Sequence, residues 1–145
     1  MDIKDTLNRL FVELFRDINN IEERQIKTGE FSNLTLNDIH VINAIGTEKA
    51  KNMSSVAKAL NVTMGTLTIA VNGLVKKGFV DRVRSEEDRR VVLISLTAKG
   101  KKAFVRHEAF HTEMIDAIVK QLSGEEKEIL AKSLHNLHEF FLGLK

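Results

Sequence analysis

Three groups of side chains in this 145-residue sequence have the types and spacing to bind something. His107 and His111 stand one helical turn apart, so their imidazoles can share a metal ion, with His40 able to supply a third nitrogen. A closed zinc site takes about four ligands, so Asp38 or Glu108 would have to join, and the sequence has no cysteine to help. Histidines that line or hydrogen-bond within the interior of a dimer are the competing reading, and no cofactor is expected. Zinc held by His40, His107 and His111 is the alternative. The second group, Thr63, Met64, Gly65, Thr66, Thr68 and Asn72, places small polar side chains along one short stretch that ends near Lys76. The third, Asp88-Arg89-Arg90 with Arg82 and Arg84 just upstream, puts arginines beside a carboxylate that can aim a planar guanidinium.

The second and third groups suit a nucleic-acid duplex. Asparagine can pair with adenine, threonine can hydrogen-bond or offer its methyl to thymine, and Gly65 permits close approach of the backbone. Ser54 and Ser55 precede them on a neighbouring element and join the expected contacts. Arg82 and Arg84 are placed to meet phosphates, and Arg89 or Arg90 to enter a minor groove. The charge distribution agrees: between residues 76 and 106 ten lysines and arginines face only Asp81, Glu86, Glu87 and Asp88, on a chain whose net charge is +2. An ordinary solvated salt-bridge cluster is the bland reading of the same residues. Catalysis has little to stand on. There is no nucleophile motif, no glycine-rich phosphate loop and no carboxylate pair with acid-base spacing, so no enzyme is expected.

Composition sets the frame for these groups. With 43% hydrophobic and 29% charged residues the chain reads as a folded domain, and without cysteine it has neither disulfides nor a thiol redox switch. No stretch approaches the roughly 20 apolar residues of a membrane span. The amino terminus is amphipathic rather than a signal peptide, and the expected location is the cytoplasm.

The elements that must position the groups are mostly helical. Ile3, Leu7, Leu10, Phe11, Leu14, Phe15, Ile18 and Ile21 recur at three- and four-residue spacing, giving a long first helix that Gly29 ends. A second spans about Thr35 to Ile45 and stops at Gly46. "MSSVAKALNV" predicts a short helix with Val56, Ala57 and Leu60 inward. "TMGTLTIAVNGLVKKG" predicts another, buried through Leu67, Val71, Leu74 and Val75 and capped by Gly78. The pair, joined by a tight turn, is a helix-turn-helix pattern. "FVDRVR" and "VVLISL" then read as a hairpin around "SEEDRR", which makes the motif a winged helix. Thr97 caps a long helix to about Leu122, and "SGEE" at 123–126 is a capping box for the last one.

Long end helices striped with Leu, Ile and Phe carry more apolar surface than a core of short helices covers, so a second copy of the chain is expected against both termini. The fold class is therefore mainly α: a winged helix-turn-helix DNA-binding lobe at about 35–97, with a two-stranded β wing, and long terminal helices, about 3–27 and 98–145, forming a homodimer. All belong to a single domain, 1–145, reading a DNA palindrome with half-sites about 34 Å apart.

"DRRVVLISLT", residues 88–97, resembles the wing signature of the multiple-antibiotic-resistance (MarR) type winged-helix repressors: Asp, any residue, Arg, then Leu-Thr closing the second strand. The resemblance runs over essentially the whole chain. Through "VTMGTLTIAVNGLVKKGFVDRVRSEEDRRVV", 62–92, the sequence is similar within that family to repressors of fatty-acid biosynthesis. That likeness implies repression of type II fatty-acid synthesis genes, with long-chain acyl-acyl carrier protein as corepressor. An acyl chain would then need an apolar tunnel, for which Phe11, Phe15, Phe31, Ile39, Phe104 and Met114 are candidates, with His107 and His111 beside it. Lys99, Lys101, Lys102 or Arg106 would face the acidic carrier. A MarR-type regulator of another small apolar ligand is a further alternative, and the family also includes zinc-dependent repressors.

Overall fold

The computed structural model describes residues 2–145. Helix α1 (Ile3–Ile26) leads through a 3-10 turn at Gly29–Phe31 to α2 (Leu36–Ile45), β1 (Lys51–Asn52), α3 (Met53–Leu60) and α4 (Met64–Lys77). Strands β2 (Val80–Arg84) and β3 (Val92–Leu96) follow, then α5 (Ala98–Lys120) and α6 (Gly124–Leu142). The chain falls into two compact units, one running to His107 and the other from Glu108 to Lys145. Among the described residues no helix is long and apolar enough to cross a membrane.

In the first unit the helix ends are set by side chains. Thr35 and Asp38 form a reciprocal capping box on α2, and Asn52 and Thr63 accept from the backbone amides of Ser55 and Thr66 to start α3 and α4. Asn61, in the left-handed conformation at φ 55°, closes α3 and lets the chain turn within two residues into the Thr63 cap. Gly78, at φ 87°, ends α4 in a conformation that costs a glycine no Cβ clash.

The apolar stripes close one core. Ile42, Ile45, Val71, Leu74, Phe79 and Ile94 have essentially no accessible surface, and each comes from a different element or a different turn. The inward faces of α2, α4 and β3 therefore meet around the aromatic ring that follows the Gly78 stop. At roughly 25 cal/mol per Å² of apolar surface removed from water, these contacts, more than helix propensity, hold the threonine-rich α4 in place.

The two-stranded wing forms as expected from β2 and β3, and a third strand extends it to the order β1-β3-β2, because Lys51 and Asn52 pair antiparallel with Ile94 and Leu93. A two-residue strand has no alternation for a pattern to reveal. Helix α1 ends at Ile26, with Lys27 as its C-cap, within a residue of the expected end. The Arg106 guanidinium donates to the Gln25 and Thr28 carbonyls and to Thr28 Oγ1, while its plane lies 5.3 Å from the Phe31 ring centroid. A cation from α5 thus satisfies carbonyls that another helical turn would have used.

The outer face of α1 stays open: Ile3, Leu7, Phe11, Leu14, Phe15, Ile18 and Ile21 are all exposed. In the second unit Ser123 and Glu126 form the expected capping box on α6, and hydrogen bonds from the Ser123 backbone and side chain hold the Glu126 carboxyl below its usual range. No residue of α6 is buried, although Ile129, Leu130, Leu134, Phe140 and Phe141 recur along it.

Candidate nucleic-acid interface

Helix α4 presents its polar residues where the core stripe leaves them. Leu67, Val71 and Leu74 point inward, and Thr63, Met64, Gly65, Thr66, Thr68, Asn72 and Lys76 are exposed. Their hydroxyls are already oriented. Thr63 Oγ1 donates to Thr66 Oγ1 at 3.0 Å and accepts from the Thr66 amide, and Thr68 Oγ1 donates to the Met64 carbonyl at 2.8 Å. The Thr68 hydroxyl hydrogen is thus spent on the helix, leaving an acceptor lone pair for a donor on a base edge. Ile69 shares this face at 76% exposure. It is not among the residues expected to meet a duplex, and its place outside the 67-71-74 stripe is the signal that marks it.

The wing is built by Asp88. Its Oδ1 accepts from the Arg90 backbone amide and from Arg90 Nε, and its Oδ2 from Arg90 Nη2, each at 3.1 Å. This two-pronged grip holds the Asp88 carboxyl below its ordinary range, chiefly through the Arg90 side chain and then its backbone amide. The Ser85 amide donates to the Val91 carbonyl at 2.8 Å and the Val91 amide to the Asp88 carbonyl at 2.9 Å, which closes the loop. Arg84 Nη1 donates to the Arg89 carbonyl at 2.9 Å, so Arg84 braces the wing as well as adding charge to it. The Arg90 side chain itself is 91% exposed, a pre-aimed cation at the loop tip, and Arg89 beside it is exposed too.

These parts share one surface. Asn52, Met53 and Ser54 from the start of α3, Met64 from the start of α4, and Arg90, Val91 and Val92 from the wing line an open cleft of about 300 Å³. Ser54 Oγ donates to Asn52 Oδ1 and Ser55 Oγ to the Asn52 carbonyl, placing both hydroxyls at the amino end of α3, where amides and dipole favour phosphate. Across from them Arg82 Nη1 reaches Asn72 Oδ1 at 2.5 Å, linking β2 to α4. The geometry therefore sets hydroxyl and cationic groups beside α4 in an arrangement able to hold a nucleic-acid backbone.

The residues expected around an acyl chain are less united. Phe31, Ile39 and His107 line one internal cavity with Leu34, Ala103 and Arg106, and its volume is about 10 Å³, room for a single water. Phe104 is half-buried against the core. Phe11 and Phe15 stack on each other, centroids 6.4 Å apart, on the exposed face of α1. His111 and Met114, in the second unit, are half-buried. Of the cations expected to meet a carrier, Arg106 clasps the end of α1, and Lys99 lies 4.5 Å over the Phe79 ring. Lys101 and Lys102 are exposed.

For a metal, the structure places beside His107 a carboxylate that the expected ligand set did not include. A carboxylate oxygen of Glu22 lies within 4.8 Å of a His107 ring nitrogen, and both residues are buried. His40 is exposed on α2, and Asp38 is engaged by Lys77 and by its own capping box.

Comparison with known proteins bears on the same segment. The family described as transcriptional regulator SarA/Rot matches residues 25–107. The structure of Streptococcus pneumoniae FabT in complex with DNA aligns with a TM-score of 0.93 and 37% identity, over 98% of this chain and 99% of that one. A MarR transcriptional regulator from Methanosarcina mazei shares the fold, with a TM-score of 0.75 and 23% identity over 97% of this chain and 99% of that one. The transcriptional repressor YetL of Bacillus subtilis is 37% identical over 86 residues, 59% of this chain. The match spans about half the length, 52%, of YetL and likewise of the B. subtilis regulator YhjH.

Proposed function

We propose, for a chain that belongs to the SarA/Rot family of transcriptional regulators, a repressor of type II fatty-acid synthesis genes whose grip on DNA tightens when long-chain acyl-acyl carrier protein binds. The observation that carries this reading is the near full-length likeness to FabT bound to DNA. The Asp88-Arg90 wing and the polar face of α4 give that likeness a physical basis in this chain's own residues. Thr63, Thr66, Thr68 and Asn72 read base edges, while Ser54, Ser55, Arg84 and Lys76 fix the register on phosphates. Arg89 and Arg90 enter the flanking minor groove. The protein works in the cytoplasm, where the DNA is.

The working form is a homodimer on a palindrome. The exposed Leu, Ile and Phe of α1, and the α6 helix with no buried residue, are supported best by a second copy lying over them. Leu134→Glu with Phe141→Glu should convert the dimer to a monomer in sedimentation velocity and abolish palindrome binding.

A corepressor must bind the DNA-competent dimer more tightly than the other form, and that difference caps its effect. The small cavity under Arg106 and His107 is where an acyl chain would enter, opening as Phe31 and Ile39 move apart. The deciding experiment is anisotropy of a labelled duplex from a fatty-acid synthesis promoter in metal-free buffer, with protein alone, with acylated carrier and with unacylated carrier. Tightening by the acylated form only supports the reading. Equal effects of the two forms, or none, overturn the corepressor.

A second reading, zinc control, is favoured by the buried Glu22 and His107. A carboxylate and an imidazole are donor types that zinc takes, and His111 is one turn further along the same helix. Zinc would supply a fixed positive charge tying α1 to α5. Tightening on addition of zinc, with no response to acylated carrier, would favour this reading over the first.

A further inference from the structure

We propose that Arg82 sets the base preference of the recognition helix by locking the Asn72 amide in one orientation, so that Asn72 offers its Nδ2 donors to the groove and keeps its carbonyl from it. The inference rests on the DNA-binding reading and goes beyond it. It replaces the expectation that Asn72 pairs with adenine and that Arg82 is a phosphate contact alone.

The argument starts from what an arginine can do. A guanidinium has five N–H donors and no acceptor, so the amide atom 2.5 Å from Arg82 Nη1 must be the oxygen of Asn72. That removes the usual ambiguity about which way an asparagine amide points. The two residues lie ten apart, on β2 and on the outer face of α4, and both are exposed on the surface that carries Thr68 and Arg90. A charged donor on a carbonyl is roughly twice as strong as a neutral one, so this contact outcompetes a base donor for the same lone pair.

Consequences for readout follow from the edges of the bases. A free asparagine recognises adenine by accepting from N6 and donating to N7 at once. With Oδ1 turned toward Arg82 and one of its two lone pairs taken, the Nδ2 donors are the group left facing the groove, and the complementary edge is one with acceptors: guanine, which offers N7 and O6 side by side, or thymine through O4. Cytosine, whose edge is the N4 donor, is disfavoured. Arg82 is thus a positioning residue, acting on specificity through Asn72 while its other nitrogens remain available to phosphate.

Selection from a random duplex library, followed by competition binding at each position of the selected site, tests this with wild type, Arg82→Met, Asn72→Ala and the double variant. Wild type should show one position per half-site that rejects cytosine and accepts guanine or thymine. Arg82→Met frees Oδ1 and should shift that position toward adenine by about tenfold relative to wild type, the size of one bidentate pair. Asn72→Ala should flatten the same position in either background, so the double variant matches Asn72→Ala there. If Arg82→Met weakens every sequence by one factor and leaves preferences intact, Arg82 is a phosphate contact only and the inference is overturned. Unchanged preferences in Asn72→Ala overturn it as well. Wild type failing to select any duplex would overturn the DNA-binding reading and this inference together, a result distinct from a uniform loss in one variant. Both side chains are exposed, and unchanged thermal melts would confirm that the variants are folded.

Discussion

Lys77 Nζ lies 2.8 Å from Asp38 Oδ2, joining the last turn of α4 to the first turn of α2 across 39 residues of sequence. The same Asp38 oxygen accepts from the Thr35 amide at 3.0 Å, so one buried carboxylate both caps α2 and anchors the far end of α4. The Asp38 side chain is 11% exposed and that of Lys77 31%. Screening is therefore weaker here than at an open surface pair. Lys77→Met should destabilise the fold by about 1–3 kcal/mol, the range of a hydrogen bond to a charged group. Asp38→Ala should cost about 1 kcal/mol more because the cap goes too. Urea denaturation measures both, and equal midpoints for wild type and Lys77→Met would contradict the anchoring role.

Gly100 is buried on the first turn of α5, and a Cβ there would run into the Phe79 carbonyl oxygen. That carbonyl already accepts from the Thr97 amide at 3.0 Å, and Thr97 Oγ1 donates to the Gly78 carbonyl at 2.7 Å. Backbone meets backbone with no room to give. Gly100→Ala should lower stability by about 1–3 kcal/mol despite alanine's better helix propensity, as overpacking does. A melting temperature at or above wild type would show that the junction can relax.

The wing should depend on Asp88 in a pH-dependent way. Because Arg90 holds the folded-state carboxyl below its ordinary value, the contribution is fully present above that ordinary range and is lost as pH falls through the lowered value. Neutral and mildly acidic solutions, down to about pH 5, should leave the Arg90 Nε–H resonance in place, and stronger acid should shift it. Asp88→Ala should remove the pH response, reduce affinity for every duplex and leave the melting temperature nearly unchanged, because the pair is solvent-exposed. Duplex affinity of Asp88→Ala equal to wild type at pH 7 would mean that the loop holds its arginine without the carboxylate.

Ile69 projects from α4 at 76% exposure, the most exposed apolar side chain on that helix. Its burial against a thymine methyl would repay the exposure. Ile69→Ala should leave folding stability within about 0.5 kcal/mol, the usual surface range, and weaken operator binding by about 1–2 kcal/mol, the worth of the methylenes removed. Losing folding stability rather than binding would place Ile69 in the fold and not in the interface.

Much of this architecture can be read from the residues because local chemistry and burial agree. Thr63 and Gly78 bracket α4 by cap rules that need no tertiary information, and the 67-71-74 stripe states which face is inward. Asp88 two residues before Arg90 likewise signals a gripped guanidinium, and the gripped residue is Arg90. What the sequence could not convey were contacts between distant segments. Lys51 and Asn52 become a strand only because β3 passes beside them. Arg106 ends α1 from 78 residues away from Thr28. Phe11 and Phe31 have the same type, yet one lies on an open face and the other in the core. Glu22, one of two glutamates in "NNIEER", became a neighbour of His107 only through the packing of α1 on α5.

A helix such as α6, with no buried residue of its own, ties the survival of the chain to how many copies are present. Shelter gained by association follows mass action, so a newly made chain presents Leu134, Phe140 and Phe141 to proteases until it meets a second copy. Scarce protein would be cleared faster per molecule than abundant protein. A repressor built this way has a floor on its working abundance, below which it disappears from the cell rather than persisting as idle monomer.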